Sequence, residues 1–119
     1  KNNWRLNQKI GDIMKIIWSD FASEMLKDIF QYHKKVAGRK IAQRLKDKIF
    51  LSTKQLIKYP NSGQTEETLA ELNEGHRYLV SVNYKVVYKK VKEGILITDI
   101  YDTRQDPKKI NDPKRKPSR

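Results

Sequence analysis

The chain has 119 residues, no cysteine and a formal net charge of +12, with 37% hydrophobic and 34% charged residues. That is one domain with one modest core under a heavily solvated surface. The absence of cysteine excludes disulfides, thiolate zinc sites and a cysteine nucleophile, and it suits a reducing cytoplasm. The charge is uneven: residues 19–60 hold ten Lys/Arg against four Asp/Glu, residues 61–103 five against seven, and residues 104–119 seven against two. Self-repulsion at this charge predicts a partner of opposite sign, either nucleic acid or an acidic protein segment.

Residues 1–13 show no clean period and are set aside as a leader or non-native extension, with a short appended helix using Trp4 and Leu6 as the alternative. Met14–Trp18 is a short β-prone run. Ser19-Asp20 supplies N-cap chemistry, and Ala22, Met25, Leu26, Ile29, Phe30 and His33 recur at three- and four-residue spacing, predicting a helix over 20–36 that Gly38 ends. A second helix is predicted over 39–58. Its apolar stripe is Ile41, Leu45, Ile49 and Leu56, with Ala42 and Thr53 filling in, and Lys40, Arg44, Lys46, Lys48 and Lys54 cover the rest. Pro60 and the Asn61-Ser62-Gly63 turn stop it. With so short a junction the helices must form an antiparallel hairpin.

Strands follow: a weak one over 68–72, then 77–82, 83–91 and 95–101, with Glu93-Gly94 as a tight turn. In 83–91, Tyr84, Val86 and Tyr88 share one face, and Lys85, Val87, Lys89 and Val91 the other. A charged tail with two prolines, residues 110–119, reads as disordered. The fold class is α+β: an N-terminal strand and a helical hairpin packed on one face of an antiparallel, mostly C-terminal sheet, with residues 14–109 as the domain. The other sheet face is left to water, where Lys85, Lys89, Arg77 and Arg104 can gather.

These stretches resemble the RelE/ParE superfamily of bacterial type II toxins. The resemblance runs from MKIIWSDFASEMLKDIFQYHKK through IAQRLKDKIFLSTKQLIKYPNSG to HRYLVSVNYKVVYKKVKEGILITDIYDTRQDPKK, with Pro60, Gly63, Arg77-Tyr78-Leu79-Val80 and Asp102-Thr103-Arg104 in the family's order. It implies a toxin that arrests growth and is neutralised by an acidic antitoxin, as a homodimer or a toxin–antitoxin hetero-oligomer. The first reading is ribosome-dependent mRNA cleavage. The alternatives are a ParE-like poison of DNA gyrase without bond-breaking chemistry, and a non-toxic nucleic-acid-binding module. No cofactor, metal or membrane attachment is expected.

Cleavage by 2′-hydroxyl attack needs a proton acceptor, charge stabilisation on the phosphate and a proton donor. Arg77 and Arg104 suit the phosphate, since a guanidinium matches its oxygens bidentately. Lys85 is the candidate base and Tyr88 the candidate acid, with Tyr84, Tyr101 and His76 behind them. Lys46, Lys48, Lys54, Lys89, Lys108 and Lys109 are candidate backbone contacts. Each has a bland reading: the tyrosines as core, His76 as a solvated loop residue, Arg77 paired with Glu74 or Asp99, and Arg104 paired with Asp102 or Asp106. One departure matters. RNA-cleaving relatives often carry a Tyr or His a few residues beyond the position resembling Arg104, and QDPKKINDPKRKPSR contains neither.

Overall fold

The computed structural model describes residues 7–10, 14–65 and 74–104. In chain order the elements are β1 (Asn7–Ile10), β2 (Met14–Trp18), α1 (Asp20–Ala37), α2 (Arg39–Lys58), β3 (Gln64–Thr65), β4 (Arg77–Ser81), β5 (Tyr84–Val91) and β6 (Gly94–Asp102). The strands form one sheet in the order β1-β2-β6-β5-β4-β3. Every pairing is antiparallel except β2 with β6. Both helices pack on one face, which is the α+β layering expected. Residues 7–10 form an edge strand paired with β2, not a helix. The expected strand over 68–72 and the tail from 110 lie outside the described residues.

Local chemistry explains the helix ends. The Ser19 side chain accepts the Ala22 N–H at 3.0 Å, which satisfies one of the donors left over at a helix start. Gly38 alone separates the helices. Its φ of +94° is strained for any residue with a Cβ, and its N–H closes α1 on the Lys34 carbonyl at 3.0 Å. The α1 stripe buries Ala22, Leu26 and Phe30, and α2 buries Ala42, Ile49, Phe50, Thr53 and Leu56. They meet Ile16, Trp18, Val86, Ile95, Ile97 and Ile100 from the sheet. Trp18 and Phe50 stack edge to face at 5.3 Å. Truncating a fully buried Leu26 or Ile49 to alanine costs about 2–5 kcal/mol in such a site. Ile41, assigned to the α2 stripe, is 46% exposed. Its neighbour Ala42 takes the inward position.

Two glycines answer close approaches. A Cβ on Gly94 would collide with the backbone of Lys15, so this residue opens β6 against β2 and is not the turn glycine expected; the turn is Lys92-Glu93. A Cβ on Gly63 would stand 2.5 Å from both the Tyr78 carbonyl oxygen and the Tyr88 hydroxyl. There the Tyr88 phenol, fully buried, accepts the Gly63 N–H at 2.9 Å and donates to the Pro60 carbonyl at 3.0 Å. One side chain thus ties the end of α2 to the sheet centre. A Tyr88→Phe variant strands both backbone groups. We expect a loss of about 1–3 kcal/mol in urea unfolding, with the helix and strand content of the native state unchanged.

The β4–β5 connection is the two-residue turn Val82-Asn83. Val82 has φ +61°, a left-handed conformation that costs a β-branched residue roughly 1–2 kcal/mol. Asn or Gly normally fills it. Replacing Val82 with Gly is therefore expected to raise stability by about 1 kcal/mol, seen as a higher thermal midpoint, even though Gly loosens the unfolded chain.

Candidate functional site

Strand parity decides where the polar side chains go. Tyr84, Val86 and Tyr88 of β5 face the helices and join the main core. Val87 and Tyr101 form a second small cluster with Tyr78 on the open face. Arg77 pairs with Tyr88 across β4–β5 and so projects on the helix side. Lys85 projects on the open side, its ammonium 4.0 Å from the Tyr78 ring and 5.9 Å from that of Tyr101, a cation–π arrangement.

The expected gathering of Arg77, Arg104, Lys85 and Lys89 on the open face does not occur. Arg77 and Asp102 pair with positions four apart on β5, roughly 13 Å at the rise of a strand, and on opposite flanks of it. Arg77 lines a cavity of about 250 Å³ with Pro60, Asn61, Glu74, Gly75, Tyr88 and Lys90. Its Nη1 donates to the Gly63 carbonyl at 2.8 Å and the Asn61 carbonyl at 3.4 Å. It props the turn after α2, where an acidic partner was the alternative.

Arg104 lines a different cleft, of about 350 Å³, between α1 and the ends of β5 and β6. Its guanidinium grips Asp102 through two bonds, Nε to Oδ1 at 2.9 Å and Nη2 to Oδ2 at 2.5 Å, and its backbone N–H adds a third at 2.8 Å. Those hydrogen bonds and the guanidinium charge hold the Asp102 carboxyl down at about 2. The pairing with Asp102 weighed from sequence is the one found. In the same cleft His33 Nε2 and the Tyr84 hydroxyl share a hydrogen bond of 2.8 Å. Burial, then the Asp102 charge, pushes the Tyr84 phenol up. In the sequence His33 reads only as part of the α1 stripe. Its partner lies 51 residues away, so no sequence spacing announces the pair.

The remaining candidates divide. Tyr88, the candidate proton donor, has its pKa raised by desolvation and its hydroxyl committed to Pro60 and Gly63. Lys46 and Lys89 are not the free phosphate contacts that the sequence suggests. Lys46 is instead buried along its stem with Nζ 5.7 Å from the Phe30 ring and 5.9 Å from the Phe50 ring. Lys89 is buried and bonded to Glu74 at 2.6 Å. His76, read as a solvated loop residue, is buried. Lys48 and Lys54 are exposed on α2. Lys108 and Lys109 lie outside the described residues. Among the described residues no group of three His, Asp or Glu could hold a metal, and no helix is long and apolar enough to cross a membrane.

The Asp102–Arg104 clamp has a readable signature. A carboxylate held below its ordinary value near 3.9 stabilises the fold above that pH, and the contribution fades as pH falls from about 4 towards 2. An NMR titration of the Asp102 carboxyl is expected to give an apparent pKa near 2, returning to the ordinary range in Arg104→Ala.

Comparison with known proteins agrees with this architecture. A solved structure described as the chromosomal ParDE TA system from P. aeruginosa matches with a TM-score of 0.63 at 20% sequence identity, covering 76% of this chain and 96% of that one. At that identity the likeness shows the fold. A search of curated proteins returns no match. The family model for the ParE toxin of the type II toxin-antitoxin system parDE matches residues 16–107, most of the chain. The chain therefore belongs to the ParE toxin family, within the RelE/ParE superfamily.

Proposed function

We propose that this toxin arrests growth by binding DNA gyrase, without cutting RNA, and that an acidic antitoxin neutralises it. One observation carries the reading: the groups that RNA cleavage needs are apart or already committed. The two guanidiniums occupy separate clefts. The Tyr88 proton is bonded to a backbone carbonyl. Arg104 is neutralised by Asp102, and Asp28 adds a second carboxylate to that cleft. A phosphodiester entering there meets two negative charges against one positive, which opposes it. A toxin that acts by contact needs surface area and charge complementarity instead.

The RNA-cleaving reading keeps one observation in its favour, the His33–Tyr84 pair at 2.8 Å, which joins two proton carriers. The two readings part cleanly in cells. Induced in bacteria lacking the antitoxin, the protein is expected to stop growth with DNA breaks and intact mRNA, and purified protein is expected to trap gyrase–DNA cleavage complexes. Messenger RNA cut within codons, and spared by His33→Gln or Tyr84→Phe, would overturn the gyrase reading.

A further inference from the structure

Between Asp28 and Asp47 the chain carries no carboxylate and six Lys/Arg. Lys46 is turned onto the Phe30 and Phe50 rings. The other five, Lys34, Lys35, Arg39, Lys40 and Arg44, surround the tip of the helical hairpin, and none forms an ion pair among the described residues. Arg39 and Lys40 open α2, whose first turn has no acidic residue and no side-chain cap. Cations there are opposed by the helix dipole, so their placement costs the isolated fold something. The same tip exposes apolar side chains. Tyr32 is 61% exposed, Val36 59% and Ile41 46%. Val36 and Ile41 flank Gly38, and Tyr32 lies one turn before Val36 on α1.

Tyr32 also lines the 350 Å³ cleft, whose floor includes Met25, Ile29 and Tyr84. Exposed apolar groups, a cleft and a ring of cations therefore run together. A nucleic acid would use the cations but not Val36 or Ile41, and Asp28 and Asp102 in the cleft would repel its phosphates. A protein segment can use all three: carboxylates over the cations, aliphatic contacts at the tip, and one apolar anchor in the cleft. Buried anchors ringed by lesser contacts are how such interfaces gain most of their energy.

We infer that the hairpin tip and the adjoining α1 cleft form the surface by which the toxin grips its target, and that the target presents an acidic protein segment with an apolar anchor. This rests on the gyrase-binding reading and adds to it a location and a partner chemistry.

The test uses the full chain and purified DNA gyrase. One variant carries Val36→Ser with Ile41→Ser, and a second carries Lys35→Glu with Arg39→Glu. All four residues are exposed, so thermal midpoints are expected to stay within a few degrees of the wild type, which checks folding. Both variants are expected to bind gyrase at least tenfold more weakly. The charge variant is also expected to lose most of the salt dependence of binding. Wild-type affinity in both variants overturns the inference. So does a charge variant that loses affinity for duplex DNA while the serine variant binds gyrase normally, since that pattern means a nucleic-acid occupant. A wild-type chain that fails to bind gyrase overturns the functional reading first and this inference with it, and the wild-type control separates that case from the others.

Discussion

The parallel ladder between β2 and β6 is the constraint on which the molecule is hung. Lys15 to Trp18 pair with Gly94 to Ile97, joining the start of the domain to its last strand. Parallel strands cannot be linked by a short turn, so the chain between them must cross over the sheet. Here the crossover is the helical hairpin, followed by β3, β4 and β5. It brings both apolar stripes onto one face, where they can be buried together. The ladder depends on the bare backbone of Gly94, because any side chain there meets the Lys15 main chain. It also makes β6 the most enclosed strand, with β2 on one side and β5 on the other.

A second constraint sits inside β6. Ile95, Ile97 and Ile100 all reach the helix-side core, although strict alternation would put Ile100 on the face opposite the other two. The register shift at Val87/Tyr88 resolves this. Val87 pairs with Asp99 and Tyr88 with Ile97, which leaves Thr98 as an extra residue. The bulge resets the parity of β6, so Ile97 and Ile100 both point inward. It also lies on the strand pair that carries Tyr88.

The helices were legible because their signals are local. Ser19, Gly38 and Pro60 sit at the boundaries, and the α2 limits predicted from them are the ones observed. The resemblance to RelE/ParE toxins was legible because the order of several loose motifs constrains more than any one of them. What sequence could not give was direction. Lys46 counts as one more cation in a basic helix, yet its stem is buried and its charge faces two rings. Lys89 alternates outward on paper and is covered in space. Arg77 and Arg104 read as a pair because both flank the last strands, but the strand between them holds them apart. The His33–Tyr84 pair and the α1 cleft exist only once α1 packs on β6 and so reaches the start of β5. Strand β3 has two residues, too short for any period to show.

Charge then connects the fold to its work. A net charge of +12 on 119 residues opposes compaction, and the domain tolerates it by spreading cations over solvated helix faces. Individual exposed ion pairs repay little of that cost in water. A partner that lays carboxylates along the hairpin would relieve repulsion throughout the region, because each added negative charge acts on several cations at once. Binding only the folded chain, such a partner also raises its stability by mass action. If the basic hairpin is the half-interface we infer, complex formation would relieve repulsion that the isolated domain carries. On the reading proposed here, an antitoxin and a target that both present carboxylates would compete for this one surface.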